Sequence, residues 1–258
     1  MADEYIEPMV FPWPAWTSPA RAPHGTRPGP LHRALQLLQR LPSQCAVCHA
    51  WPAQRLCPAC RQCGHAAAVA RCTRCAAPVA PGIAQCGDCL KHPPPLDACL
   101  AAVGYGYPWA DLLTQFKFGA DPGWAAPLGA LLRDLPGAAA LLDDADALVP
   151  IPLSTQRLRQ RGYNQALLLA RQLDRAKVRP QWLERLHDTP AQSRLTRAQR
   201  LRNLRGAFAT AGDAPVAGLS IVLIDDVMTT GATLYTAASV LRGAGARSVN
   251  AIVLARTD

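Results

Sequence analysis

The chain has 258 residues, half of them apolar, and a net charge of +9 at neutral pH. That suffices for one α/β domain plus a small module. No apolar run approaches the ~20 residues that span a bilayer, and the start lacks a basic-then-apolar secretory pattern, so a cytoplasmic protein without membrane insertion is expected.

Residues 1–30 hold many prolines and no periodic apolar face, the composition of a disordered arm. Leu31–Leu41 has helical spacing, and Pro42 ends it; residues 1–44 are therefore read as arm plus short helix. Ten cysteines lie between Cys45 and Cys99, and eight of them form CxxC pairs: Cys45/Cys48, Cys57/Cys60, Cys72/Cys75 and Cys86/Cys89. Each pair presents two thiolates from one tight turn, and two pairs complete a tetrahedral Cys₄ site. Two structural Zn²⁺ ions in a double zinc ribbon over residues 45–92 are expected. Spacing favours sequential pairing of the knuckles, with cross-braced pairing left open. A disulfide framework is the competing reading, but no secretion signal supports it, and redox chemistry poorly explains four knuckles in a row. A segment this poor in large apolar residues needs metal to fold.

Pro93-Pro94-Pro95 marks a boundary, and residues 93–258 read as the second domain. Leu100–Tyr107 reads as a strand, Pro108–Phe118 as an amphipathic helix and Trp124–Leu132 as a second helix. Ala147–Leu153 reads as a short strand leading into a turn, and Asn164–Leu173 as a helix. Another helix is expected over Thr196–Leu204, then strands at Ala207–Ala209, Ser220–Ile224 and Ser248–Leu254. Such alternation predicts a parallel sheet, whose ligands bind beyond the carboxyl ends of the strands. Within this domain residues 93–153 carry 2 Lys/Arg against 7 Asp/Glu, whereas residues 154–206 carry 13 against 3. A solvated arginine-rich helical face would account for the basic stretch. An anion site fits better, given arginine's match to phosphate. Nucleic acid is the third reading, although few aromatics interleave to stack bases.

The most informative stretch is Ile221–Thr233, IVLIDDVMTTGAT. A β-branched apolar run suits a buried strand. Two adjacent carboxylates follow, Asp225 and Asp226, then small hydroxyl residues and a glycine (Thr229, Thr230, Gly231, Thr233) opening a helical run from Ala232 to Arg242. A helix N-terminus offers unpaired N–H groups and positive dipole to a phosphate. The acids would repel that phosphate, so they suit sugar hydroxyls or a Mg²⁺ ion beside it. The competing reading is a plain strand–turn–helix with a threonine cap.

This pattern resembles the phosphoribosyl pyrophosphate (PRPP) motif of type I phosphoribosyltransferases. The resemblance implies that Asp225 and Asp226 hold the ribose 2- and 3-hydroxyls and that the loop through Val227, Thr229, Thr230, Gly231, Ala232 and Thr233 wraps the 5-phosphate. Together with Val149–Gln165, Thr189–Phe208 and the cysteine knuckles ahead of them, the chain resembles the ComF/GntX family of competence-associated proteins over about residues 45–257. The fold implied is α/β: a type I phosphoribosyltransferase-like parallel sheet flanked by helices, with a small N-terminal double zinc-ribbon module. The resemblance also implies Mg²⁺ with PRPP, pyrophosphate contacts near Leu153–Gly162 with Arg157 and Arg161 foremost, and a lid over Thr189–Asn203 with Arg197 and Arg200. The activity implied is pentosyl transfer linked to DNA uptake, with single-stranded DNA and competence-machinery proteins as partners. The alternative is a non-catalytic DNA-binding or scaffold protein that uses the PRPP site as a sensor.

Overall fold

A computed structural model describes residues 43–51, 54–66, 69–186, 206–212 and 214–257. The N-terminal arm, the Leu31–Leu41 and Thr196–Leu204 helices and the Thr189–Asn203 lid lie outside them. Four parallel strands form the central sheet in the order β1-β6-β5-β2: β1 is Cys99–Gly104, β2 Ala147–Pro150, β5 Ser220–Met228 and β6 Ser248–Arg256. A small antiparallel pair, β3 (Leu183–Arg185) and β4 (Phe208–Thr210), stands apart from it. Among the described residues no single helix is long and apolar enough to cross a membrane.

Both faces of the sheet are covered, as parallel strands require. Alternate residues of β5 divide between them. On one face Ile221 and Leu223 join Leu234, Ala237, Ala238 and Leu241 of the helix Ala232–Gly243. On the other, Val222 and Ile224 join α3 (Trp109–Phe118, through Leu112, Leu113 and Phe116), α4 (Ala125–Arg133) and α7 (Gln165–Asp174). The cysteine segments divide in the same way. Their short helices, α1 (Pro58–Ala66) and α2 (Gly87–Lys91), each begin inside a knuckle and carry its second cysteine, Cys60 and Cys89. Cys45, Cys57 and Cys60 belong to the α3/α4/α7 face, whereas Cys72, Cys75 and Cys89 belong to the other.

Two lengths position the site. β2 stops at Pro150 rather than continuing to Leu153, because Pro150 and Pro152 have no N–H to donate to a ladder. β5 does not stop at Ile224. It continues through both acids to Met228, paired on that stretch with β6: Asp225 opposite Val253, Val227 opposite Ala255 and Met228 opposite Arg256. The β2 edge of β5 is therefore unpaired beyond Ile224, and a cleft opens there.

Helix α7, whose start lines this cleft, lies hard against α4. A Cβ at Gly129 would sit 2.4 Å from Gln172 Cβ. Gly129→Val should thus force the helices apart and destabilise the protein by about 2 kcal/mol, within the usual overpacking range. Urea denaturation with an unchanged slope would establish this; equal stability of the variant would show that the two helices can separate freely.

Candidate functional site

The cleft is a cavity of about 180 Å³ lined by residues from six places. Asp225, Asp226 and Val227 come from the overrun of β5, and Thr233 from the start of the helix α8, Ala232–Gly243. Ile151, Pro152, Leu153, Arg157 and Arg161 come from the segment after β2. Lys117 ends α3, Asn164 and Gln165 begin α7, and Arg185 ends β3. An adjoining recess is lined by Thr229, Thr230, Gly231 and Ala232 and shares Asp225, Val227 and Thr233 with the main cavity. The sequence-predicted PRPP-motif residues and Arg157 and Arg161 thus all meet at one place.

Local rules build each wall. The basic stretch Thr155–Arg161 forms a short helix, α6, without a single buried residue. Its ends, not its packing, define it. The buried Ser154 accepts from the Arg157 N–H at 3.3 Å, and Gly162 closes it in the left-handed region at φ 78°. Asn164 then caps α7, accepting from the Leu167 N–H at 3.2 Å while donating to the Ile151 carbonyl at 3.0 Å. Arg161 donates to Gln165 Oε1 at 3.2 Å and lies over the Phe118 ring at 5.1 Å. In the recess, Gly231 has φ 78°, and a Cβ there would fall 2.5 Å from Tyr235 Cζ and 2.6 Å from Met228 Cε. Only glycine satisfies both demands.

The acid pair is electrostatically loaded. Asp225 is half-buried, and its carboxyl is pushed up to about 7, first by desolvation and then by the charge of Asp226. The Asp226 N–H, which donates to Asp225 Oδ1 at 2.8 Å, and the charges of Lys117 and Arg161 pull the other way without balancing it. Lys117 lies 3.3 Å from Asp226 Oδ1, both side chains being largely buried. Gln165 holds the end of α3 in place, donating to the carbonyls of Phe116 and Lys117 at 3.5 and 3.4 Å, and the Tyr163 hydroxyl donates to Phe116 as well. Sequence reasoning passed over Lys117. Its signal was there, as one of two basic residues in the acidic segment 93–153, but its apolar flanks read as an ordinary helix surface.

The eight knuckle cysteines form two sequential tetrads, Cys45/Cys48/Cys57/Cys60 and Cys72/Cys75/Cys86/Cys89, with all sulfurs of each within 4.8 Å of one another. Cross-bracing is thereby excluded, and none of the eight is in a disulfide. The Cys48–Cys57 and Cys75–Cys86 sulfurs are 3.7 Å apart. A tetrahedron with metal–sulfur bonds of about 2.3 Å has edges of about 3.8 Å, so the tetrads have the dimensions of zinc sites. Their surroundings shift individual thiols in opposite directions. Burial raises the Cys45 thiol, but N–H donation from Cys48, Cys57 and Val47 outweighs it and brings the group down to about 6. Burial and the neighbouring Cys72 push Cys75 up to about 11, against the Ala77 N–H and the Cys89 side chain, which pull it down.

A four-stranded parallel sheet, carboxylates at the carboxyl end of a central strand and a glycine-bearing hydroxyl loop define a phosphoribosyltransferase-like domain. A phosphoribosyl transferase domain matches residues 189–258. The chain is 34% identical to the DNA utilization protein YhgH of Salmonella typhimurium over 195 residues, 73% of this chain and 85% of that protein. It is 34% identical to competence protein F of Haemophilus influenzae, covering 67% of this chain and 78% of that one. With the competence protein ComFC of Bacillus subtilis the identity is 39%, over 57% of this chain and 59% of that protein. The chain belongs to the ComF family of competence and DNA utilization proteins.

Two measurements follow from this geometry. Elemental analysis should find two zinc ions per chain, and Cys72→Ser should lose one of them; metal-free protein or disulfide-linked knuckles would overturn the tetrads as metal sites. Because folded Asp225 keeps its proton to about pH 7 while an unfolded carboxyl loses it near its ordinary value of 3.8, the stability this group contributes is full below about pH 4. It is lost as pH rises through 7. Urea midpoints of the ligand-free protein should therefore fall across this window, and Asp225→Asn should flatten the fall.

Proposed function

We propose that the chain binds PRPP with Mg²⁺ in the β5 cleft and transfers its phosphoribosyl group to a nitrogen nucleophile, releasing pyrophosphate. The observation that carries this reading is the meeting of Asp225 and Asp226 with the Thr229–Thr233 loop and a ring of Lys117, Arg157, Arg161 and Arg185 in adjoining cavities. Each part has a role. The carboxylates accept hydrogen bonds from the ribose hydroxyls and favour positive charge as it grows on the sugar. The Gly231 loop and the first N–H groups of α8 take the 5-phosphate. Arg157, beside the Ser154 cap, and Arg161, held by Gln165, take the leaving pyrophosphate, where negative charge develops. Mg²⁺, when bound, neutralises pyrophosphate charge, with the Asp225/Asp226 pair the acidic groups nearest to hand. Lys117, 3.3 Å from Asp226, leaves the cleft less repulsive to an anion than two bare carboxylates would.

The second reading, a non-catalytic PRPP sensor that binds single-stranded DNA or competence-machinery proteins, is favoured by the excess of arginine in residues 154–206 over what one pyrophosphate needs. It also agrees with the names of the relatives. Consumption of PRPP with pyrophosphate release, tested against a panel of nucleobases, separates an enzyme from a sensor.

Asp225→Asn with Asp226→Asn should cost PRPP at least 1.5–3 kcal/mol in calorimetry, on the order expected for charge-assisted hydrogen bonds, with the fold retained. Unchanged affinity would reduce the motif to a structural turn. Arg157→Ala and Arg161→Ala should weaken PRPP far more than ribose 5-phosphate, because only PRPP carries pyrophosphate. If these arginines instead track DNA, both substitutions should lower the salt slope of oligonucleotide binding by roughly 0.7 per lost phosphate contact.

A further inference from the structure

We propose that Arg256 ties the second cysteine tetrad to the anion loop, so that metal held by Cys72, Cys75, Cys86 and Cys89 governs how well Thr229–Thr233 grips a phosphoryl group. The proposal rests on the reading of that loop as the 5-phosphate site. Arg256 ends β6, opposite Met228 in register. Its Nε donates to the Cys75 carbonyl at 3.0 Å, and its Nη1 donates to the Met228 carbonyl at 3.3 Å and to the carbonyls of Thr229 and Thr257. One planar cation therefore grips the backbone of a metal knuckle and the first residue of the loop together. A guanidinium offers several donors in a fixed fork, which the single ammonium of lysine cannot reproduce.

A second thread runs beside the first. The Cys99 N–H donates to the Thr73 carbonyl, inside the Cys72–Cys75 knuckle, at 2.8 Å. The Cys99 sulfur meets the Met228 sulfur at 3.7 Å. The Met228 methyl fills the space directly behind Gly231, 2.6 Å from where a Cβ would stand. Cys72, Cys75, Cys89, Cys99, Met228, Ala232 and Tyr235 share one buried cluster, whereas Cys45, Cys57 and Cys60 pack in the cluster of the opposite face. When the second tetrad gives up its metal, its four sulfurs lose the bonds that tie them to one point. The Cys75 carbonyl, Arg256, Met228 and the loop are the groups that move with them. Arg256 is thus a positioning residue, acting on the ligand through the backbone of Met228 and Thr229.

Coupling of this kind is reciprocal: if metal in the tetrad strengthens PRPP binding, PRPP must retain the metal by the same factor. The test uses full-length, zinc-loaded protein, PRPP with Mg²⁺, and a chromophoric chelator that reports zinc release. Two release phases are expected. Saturating PRPP should slow one of them about tenfold, the lower end of what outer partners of a metal site carry, and this should be the phase missing from Cys72→Ser. Arg256→Ala should bind PRPP about tenfold more weakly and lose the protection, and Arg256→Lys should recover part of both. If wild-type protein binds PRPP but neither phase responds, or Arg256→Ala behaves as wild type in both measurements, the tether is wrong and the phosphate site stands. If wild-type protein binds no PRPP, the phosphate reading falls and this inference with it. The wild-type protection needs no variant, so a misfolded Arg256→Ala protein does not shield the proposal.

Discussion

Two carboxyl groups side by side on a strand that outruns its neighbour are the constraint on which the site depends. Consecutive strand residues face opposite sides of a sheet. Asp225 and Asp226 nevertheless line one cavity because β5 has no partner on its β2 edge beyond Ile224. Two prolines end β2, and the chain then turns into a helix that carries arginines. The same missing partner strand frees the edge, admits solvent to the acids and points the basic segment at them. Lys117 from α3 closes the arrangement, since two neighbouring acids in a half-buried notch repel each other and need a cation within reach.

The residues that line the candidate site were more legible in the sequence than the geometry that gathers them. The acid pair, the TTGAT loop and the CxxC knuckles each place special residue types at fixed spacing, and each sits where that spacing implied. The parallel sheet followed from alternation of apolar runs. Less visible was the length of β5, because two aspartates read as following the strand when they are the sixth and seventh of its nine residues. Helix α6 escaped notice because TQRLRQR has no apolar face to register; a serine cap and a left-handed glycine make it a helix, and none of its residues is buried. β3 and the helix α5, Ala138–Asp144, are too short to show a period. The pairing of the knuckles needed three dimensions, as spacing alone admits two arrangements.

The two tetrads differ in what surrounds them. The first is locked to the α/β domain by Arg55, which pairs with Asp121 at 2.6 Å, holding that carboxyl below its usual range, and lies over Trp124 at 4.1 Å. The second reaches the sheet through backbone: Thr73 to Cys99, and Cys75 to Arg256. A partly exposed ion pair such as Arg55–Asp121 contributes little by itself. Burial of Cys45 and Leu56 among Leu112, Phe116 and Trp124 holds that ribbon more firmly. These cysteine-knuckle segments are layers of the core as much as appendages to it.

The pairing of β1 with β6 has a consequence in time. β1 is the first strand of the sheet in sequence, and its partner within the sheet is the last, with Cys99 beside Ala251 and Gly104 beside Arg256. On the ribosome, the knuckles and β1 emerge long before the strand that will cover their edge. Contacts so distant in sequence form late and slowly. Through that interval the knuckle thiols and an unpaired strand edge stand uncovered together, until synthesis of β6 supplies the partner that β1 lacks.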